Sequence, residues 1–355
     1  FNSMGNKIVQ RFVQLGFLSP AEIVEKDYRR LNIAREAFST VFKRLNGKDM
    51  APDKELIDEF VSFILLVKSD TRSVDDVFEC KRYGPLAAGY PAAFHLFEEE
   101  RKRQKIRFFE DQIYDPVRLM LAKPDTQRYV ANKVDHLIVD EAQDMNGIQV
   151  AMLRILAGTR AKIMLVGDED QSIYEWRGAK PDYLIDGFER DFSPATRYTL
   201  PHTFRFGHVL SLAASQAVSH NRKRNPKISI SSENTPKTRI HCLPLAAGWT
   251  GIGEHIANVL ADGRSPGDIA VLVNTHYEAS AVKARLAHEG IGAAEISRAS
   301  VLEAPECIDL LRWCAALADP SSAGKLIGAL ATGLAGGTAE SVSACLADPP
   351  AWAAE

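Results

Sequence analysis

The sequence predicts an α/β fold: a parallel sheet with a helical insertion. Two observations carry this reading. From residue 134 to residue 200, apolar strand-like runs alternate with helix-like runs in the order strand, helix, strand, helix, strand. Such alternation argues for parallel strands joined by right-handed crossovers. Residues 20–110, by contrast, read as mostly helical.

The elements follow in order. Residues 1–17 read as a helix with Ile8, Phe12, Val13 and Leu15 at apolar positions. Helices are expected over Pro20–Glu25, Tyr28–Leu45, Glu55–Lys68, Val74–Lys81 and Ala92–Arg107, with loops at Asn46–Asp49 and Tyr83–Pro85. Strands are expected at Val134–Val139 and Ile163–Val166. The helix Ile148–Ala157 between them offers Val150, Leu153, Ile155 and Leu156 for burial. Further strands are expected at Arg239–Leu245, Asp268–Asn274 and Ala293–Ile296, and a helix at Ala279–Ala287. Pro305 suits the first turn of a helix that runs to Leu317. From Asp319 the Ala and Gly content rises, and 333–337 is loop-like.

Composition narrows the classes. A length of 355 residues suggests two to three domains. Lys+Arg 43 against Asp+Glu 46 gives a net charge of −3, so there is no global basic footprint for nucleic acid. Local tracks are Arg101-Lys102-Arg103-Gln104-Lys105-Ile106-Arg107 and Arg222-Lys223-Arg224. Both also read as solvated surface, and Glu98-Glu99-Glu100 ahead of the first favours an exposed mixed-charge helix. The five cysteines form no Cys-x-x-Cys pair and are odd in number, which suggests neither a disulfide framework nor a zinc site and fits a reduced, cytoplasmic setting. No apolar stretch reaches membrane-spanning length, and the start lacks a signal pattern.

The chemistry concentrates in two strings. Residues 137–144 read Leu-Ile-Val-Asp-Glu-Ala-Gln-Asp, and residues 165–179 read Leu-Val-Gly-Asp-Glu-Asp-Gln-Ser-Ile-Tyr-Glu-Trp-Arg-Gly-Ala. Each is an apolar strand that delivers polar groups at its C-terminal end, where parallel sheets bind ligands. Asp140 at a strand tip can hold Mg²⁺ beside a triphosphate. Glu141 can orient or deprotonate a water, and the Gln171 amide can sense a γ-phosphate or that water. Tyr174 and Trp176 are alternate residues that offer flat faces to unpaired bases, and Arg177 can hold a phosphate or a local acid. The same acids at 140, 141, 144, 168 and 170 also fit a two-metal nuclease or a solvated rim, and Trp176 also fits a packing role.

The joint string is more specific. Asp140-Glu141-Ala142-Gln143-Asp144 resembles motif II of the UvrD/Rep/PcrA group of superfamily 1 helicases, and Gly167 to Ala179 resembles their motif III. Leu200-Pro201-His202-Thr203-Phe204-Arg205 is similar to motif IV, with Thr203 where Asn is usual. Phe1-Asn2-Ser3-Met4-Gly5 resembles the end of motif Ib, and the order and spacing agree to about residue 318.

The resemblance implies a RecA-like, P-loop NTPase type of motor with ATP and Mg²⁺ as cofactors. Asp140 and Glu141 would serve the metal and the catalytic water. Gln171 and Arg205 would contact the γ-phosphate, with Arg205 acting as an arginine finger. Phe204 stands where a Tyr stacks on adenine. Phe1, Asn2, Tyr174, Trp176 and Arg177 match DNA-contacting positions. It implies a first RecA-like domain (1A) at 1–19 and 110–195, a 1B-like helical insertion at 20–109, the first half of a second RecA-like domain (2A) at 196–318, and the start of a 2B-like insertion at 319–355. The partner expected is single-stranded DNA or a duplex/single-strand junction, with 3′–5′ movement, no membrane, and a monomeric fold unit.

No Gly-x-x-x-x-Gly-Lys-Ser/Thr phosphate cradle occurs in the sequence, and motifs V and VI are absent. The simplest expectation is a fragment of a longer helicase. Three functions stay open: an ATP-dependent DNA translocase or helicase, a non-catalytic remnant that binds nucleic acid or a partner, and a two-metal nuclease.

Overall fold

Helices occupy most of the first 130 residues because apolar positions there recur at helical spacing. The computed structural model describes residues 1–24, 27–47, 50–242, 251–294 and 305–318. The chain divides into two compact units, 1–240 and 241–355. In the first unit the elements are α1 (Asn2–Gln14), β1 (Glu22–Ile23), α2 (Asp27–Asn46), α3 (Lys54–Lys68), α4 (Val74–Glu79), α5 (Tyr90–Arg103), β2 (Ile106–Arg107) and α6 (Asp111–Ala122). They continue with β3 (His136–Val139), α7 (Gly147–Ala157), β4 (Lys162–Leu165), α8 (Phe188–Asp191), β5 (His202–Thr203), α9 (His208–Val218) and β6 (Ile230–Ser231).

The helical core is aromatic. Asp53 caps α3 by accepting from Leu56 N, and the helix then buries Phe60, Phe63, Ile64 and Val67. Phe38 of α2 stacks on Phe60 at 5.3 Å, and Tyr90 of α5 lies 4.9 Å from Phe38 and 5.7 Å from Phe63. Offset and edge-on ring pairs add to the burial term. The Tyr90 hydroxyl donates to Leu56 O at 2.8 Å, so that hydroxyl is satisfied inside the cluster.

A buried charge network ties α3, α5, β2 and α6 together. Lys68 Nζ lies 2.5 Å from Asp111 and 2.9 Å from Glu98. Arg101 reaches Glu98 at 2.6 Å, Asp115 at 2.9 Å and Asp111 at 3.4 Å. Arg107 pairs with Asp115 at 2.8 Å and donates to Ser19 O. Burial alone would raise the Glu98 carboxyl, but the charges of Lys68 and Arg101 hold it down to about 2. Burial pushes the Asp111 carboxyl up against the pull of the same two cations, yet its contact with Lys68 is that of an ion pair.

The network corrects the sequence reading of residues 101–107. Arg101 and Arg107 are buried while residues 102–105 are exposed, so the run is solvated only in its middle and is not a continuous free basic track. The physical reason is the match of Glu98, Asp111 and the largely buried Asp115 to three cations, with Lys68 brought in from a different helix.

Two expected helices are also corrected. Glu22–Ile23 is a strand paired with Ile106–Arg107 in parallel, where a helix over Pro20–Glu25 was expected. Glu22 N and Val24 N donate to Lys105 O and Arg107 O at 2.9 and 2.8 Å, so a tertiary ladder satisfies the backbone. α5 stops at Arg103 rather than Arg107 because Lys105 turns left-handed at φ 53°.

The parallel sense of the sheet is present, but among the described residues it is limited to two-stranded pairs. β3 and β4 pair over four residues, from His136↔Lys162 to Val139↔Leu165. The strand expected before residue 200 appears only as His202–Thr203, paired with Ile230–Ser231. Leu137, Val139, Ile163 and Leu165 pack with Val150, Leu153 and Tyr183. On the other face Ile138 and Met164 are 72% and 57% exposed.

The second unit contains α10 (Ile252–Ala261), α11 (His276–His288) and α12 (Pro305–Ala318). The expected helices at 279–287 and 305–317 lie within the last two. Asp268–Asn274 is not a ladder strand. Pro266–Asp268 forms a 3₁₀ turn, and Ile269 and Val273 pack on a core of Ile256, Val282 and Leu286. Residues 239–242 and 293–294 likewise carry no strand, and 243–245, 295–296 and 319–355 lie outside the described residues. Among the described residues no helix is long and apolar enough to cross a membrane.

Replacing Lys68 with Met should leave Asp111 and Glu98 short of a cation inside the protein. The expected cost is about 3–5 kcal/mol of unfolding free energy, read by urea denaturation. Lys102→Met, at an exposed cation 3.9 Å from Glu98, should change stability by less than about 0.5 kcal/mol.

Candidate functional site

The tips of β3 and β4 turn at the same level. Val166 N donates to Val139 O at 2.8 Å, and Ala142 N donates to Val166 O at 2.9 Å. The ladder therefore delivers Asp140-Glu141 beside Gly167-Asp168. Glu141 takes a left-handed conformation, φ 50° and ψ 43°, that non-glycine residues seldom adopt. Gly167 is required by a close approach, since a Cβ there would meet Gln143 Oε1 at 2.6 Å.

A chain of hydrogen bonds crosses the two tips. Gln143 Nε2 donates to Glu141 Oε2 at 2.6 Å, and Asp168 N donates to Gln143 Oε1 at 3.1 Å. Gln171 Nε2 donates to Asp168 Oδ2 at 2.8 Å. Asp140 Oδ1 accepts from Glu141 N at 3.0 Å. Asp140, Glu141 and Gln171 are exposed, whereas Gln143 is buried. Asp144 Oδ1 is buried and unpartnered, and burial followed by the Glu141 charge pushes that carboxyl up.

The aromatic turn comes next. Glu175–Arg177 is a 3₁₀ turn closed by Gly178 at φ 88°, where a Cβ would lie 2.2 Å from Ser69 Oγ. Trp176 is 68% exposed, and Tyr174 is exposed beside it. The Arg177 guanidinium sits 4.5 Å from the Trp176 ring and 5.6 Å from the Tyr174 ring. Arg177 thus stacks on its neighbours and, among the described residues, forms no ion pair with an acid.

Phe204 is 73% exposed. Arg205 follows β5, and its backbone N donates to Thr203 Oγ1 at 3.3 Å. Among the described residues its side chain forms no hydrogen bond or ion pair with Asp140, Glu141 or Gln171. Phe1 precedes α1, and Asn2 Nδ2 donates to Phe109 O at 3.4 Å.

The sequence reading missed Gln143 and Lys227. Lys227 Nζ lies 2.5 Å from Asp168 and 2.7 Å from Glu169, and Arg224 Nη2 lies 2.9 Å from Asp170. Asn221 and the backbone N of Asn225 donate to Asp170 and Glu169. Burial would raise all three carboxyls, but these cations and donors hold them below the ordinary range. Lys223 pairs with Asp182 at 2.9 Å, so two of the three cations in the 222–224 track are committed to acids. Opposite charge blocks at 168–170 and 222–227 were the available signal, but not their pairing. Among the described residues no group of three or more His, Cys, Asp or Glu side chains is placed to hold a metal ion.

Residues 1–193, more than half of the chain, match the UvrD/REP helicase N-terminal domain. The chain belongs to the UvrD/REP helicase family. It is 24% identical over 318 residues to the ATP-dependent DNA helicase Rep of Escherichia coli K12, covering 84% of this chain and 46% of Rep. It is 28% identical over 221 residues to the ATP-dependent DNA helicase PcrA of Staphylococcus epidermidis, covering 58% of this chain and 29% of PcrA. The PcrA of Staphylococcus aureus is 32% identical over 145 residues, or 41% of this chain and 20% of its own length. The chain thus spans less than half the length of each of these UvrD/REP relatives.

Two outcomes follow from this geometry. Trp176→Ala should leave the thermal midpoint nearly unchanged, because an exposed ring lacks the packing whose loss costs about 3–5 kcal/mol in a core. The acid cluster has a signed pH dependence. Its lowered carboxyls add stability above about pH 4 that is lost as pH falls through their folded values. Lys227, whose ammonium burial would lower but Asp168 and Glu169 hold above its ordinary value, adds stability at lower pH that is lost as pH rises through that folded value. The destabilisation caused by Lys227→Met should therefore be flat from about pH 6 to 8 and shrink below about pH 4, as measured by denaturant titration at each pH.

Proposed function

We propose that this chain is part of an ATP-dependent DNA helicase or translocase that couples ATP hydrolysis to 3′–5′ movement on single-stranded DNA. The observation that carries the reading is the hydrogen-bonded path from Glu141 through Gln143 and Asp168 to Gln171, beside an exposed Tyr174-Trp176-Arg177 turn. Family membership supports it, as do relatives named ATP-dependent DNA helicases. In this reading the domains divide as 1A (1–19 and 110–195), 1B (20–109), 2A (196–318) and the start of 2B (319–355), in a monomeric cytoplasmic protein.

The residues fit a Mg²⁺–nucleotide. Asp140 is exposed and among the described residues forms no ion pair, and Mg²⁺ bound with a triphosphate takes only one or two protein carboxylates. Such an ion, when bound, neutralises charge on the phosphates. Glu141, held by Gln143, would take the proton of the attacking water. The Gln171 amide would orient that water or meet the γ-phosphate, and Phe204 would lie against adenine. Arg205 would act as the arginine finger, a role worth roughly 10³–10⁵ in rate. Phe1, Asn2, Tyr174, Trp176 and Arg177 would contact the DNA. The acids at 168–170 are committed to Lys227 and Arg224, which disfavours a two-metal nuclease built on them.

In the protein that carries this chain, Glu141→Gln should abolish DNA-stimulated ATP hydrolysis while ATP binding persists. Unchanged turnover would overturn the assignment. Trp176→Ala should weaken single-strand binding by about 1–3 kcal/mol and uncouple hydrolysis from DNA, read by fluorescence anisotropy and ATPase together. The purified 355-residue chain alone should not turn over ATP at a useful rate, because its sequence supplies no Gly-x-x-x-x-Gly-Lys-Ser/Thr cradle.

A further inference from the structure

Three successive carboxylates follow β4: Asp168 caps a 3₁₀ turn that Glu169 and Asp170 begin. Like charges at such spacing repel one another and would open the turn unless they are neutralised. The segment just before β6 does this. Arg224 approaches Asp170 with two nitrogens, Nε at 3.1 Å and Nη2 at 2.9 Å from Oδ2. Lys227 Nζ touches Asp168, Glu169 and Asp170 at 2.5, 2.7 and 3.5 Å. Asp170 and Glu169 side chains are only 5% exposed, so these pairs are better shielded from water than ordinary surface pairs.

Asp168 is the hinge of the arrangement. One of its oxygens accepts from Lys227 Nζ and from Asp170 N, and the other accepts from Gln171 Nε2. Lys227 therefore fixes the carboxylate that fixes the Gln171 amide. The same segment enters β6, whose partner β5 leads directly to Phe204-Arg205. Ser231 Oγ also donates to Phe206 O at 3.1 Å. One stretch of chain, 221–231, thus grips the Gln171 turn at one end and the strand that carries Arg205 at the other.

We propose that Arg224 and Lys227 are positioning residues: their clasp on 168–170 orients Gln171 and couples its turn to the β5–β6 pair that ends at Arg205. The roles of Gln171 and Arg205 in that statement rest on the function proposed above. The clasp itself rests only on the contacts.

The test has two arms. In the first, amide hydrogen exchange is followed in the full chain for residues 167–171 and, as a reference, for α3. Lys227→Met and Arg224→Gln should each raise exchange at 167–171 about tenfold and leave α3 unchanged, and Lys227→Arg should restore most of the protection. Unchanged exchange at 167–171, or an equal rise in α3, overturns the clasp. In the second arm, DNA-stimulated ATPase is measured in the protein that carries this chain. Both variants should lower kcat about tenfold with KM for ATP within about threefold of wild type, with recovery in Lys227→Arg. Local loosening without loss of kcat overturns the positioning role. A wild-type protein with no DNA-stimulated ATPase refutes the proposed function and not the clasp, which the exchange arm decides on its own. Arg224→Gln keeps both arms decisive if Lys227→Met fails to fold.

Discussion

The parallel ladder between β3 and β4 is the constraint on which the site depends. Its register sets Val139 opposite Leu165 and continues to Val166. A one-residue slip would send every side chain of a strand to the other face. It would also separate Glu141 from Asp168, which one side chain, Gln143, now bridges. A Cβ at Gly167 would crowd that amide, the Leu184 side chain and the backbone of Ala142, and Glu141 in the same turn is left-handed and strained. The strain persists because the ladder, the buried Gln143 and the helix α7 beneath over-determine the turn.

The helical part of the first unit is more than an appendage to this ladder. The C-terminal turn of α3 presents Ser69 O to Ile148 N at the start of α7, and Ser69 Oγ lies against Gly178. Asp70, buried beside it, accepts from Arg72 and Lys180. The turn that carries Tyr174, Trp176 and Arg177 is therefore braced from below by α3. The buried network of Lys68, Glu98, Arg101 and Asp111 holds α3 against α5 and α6. Such a network stabilises only when every member is matched. Rigid support of this kind leaves the aromatic rings exposed without leaving their backbone loose.

Charge is distributed in two ways across the unit. Within the helical core, cations and carboxylates neutralise one another out of contact with water. At the β4 tip, three acids are balanced by two cations from the segment before β6, in a partly shielded setting. Among the groups open to solvent are Asp140 and Glu141, and the Arg177-capped aromatic turn. Under the proposed function, a nucleotide–metal complex and a stacked base would use those two surfaces.

By itself the sequence determined most of the helices before residue 105, α7, α11 and α12, the two apolar strands, their parallel sense and the family, because these follow from local periodicity and from contiguous strings such as 140–144 and 167–179; it did not mark α6, α9 or α10. It placed Asp140, Glu141 and Gln171 at strand ends for the same reason. It did not determine the strand at Glu22–Ile23, the end of α5, the burial of Arg101 and Arg107, the lack of a strand at 268–274, or the bridging role of Gln143. Several of these are decided by a partner distant in the chain: Ile106 and Arg107 for the strand at Glu22–Ile23, Ser19 for Arg107, Asp168 for Gln143. The pairing of 168–170 with 224 and 227 belongs to the same class. Both charge blocks are visible in the sequence, but only the folding of β5 and β6 brings them within hydrogen-bond reach, and electrostatic pairing across more than fifty residues leaves no periodic trace.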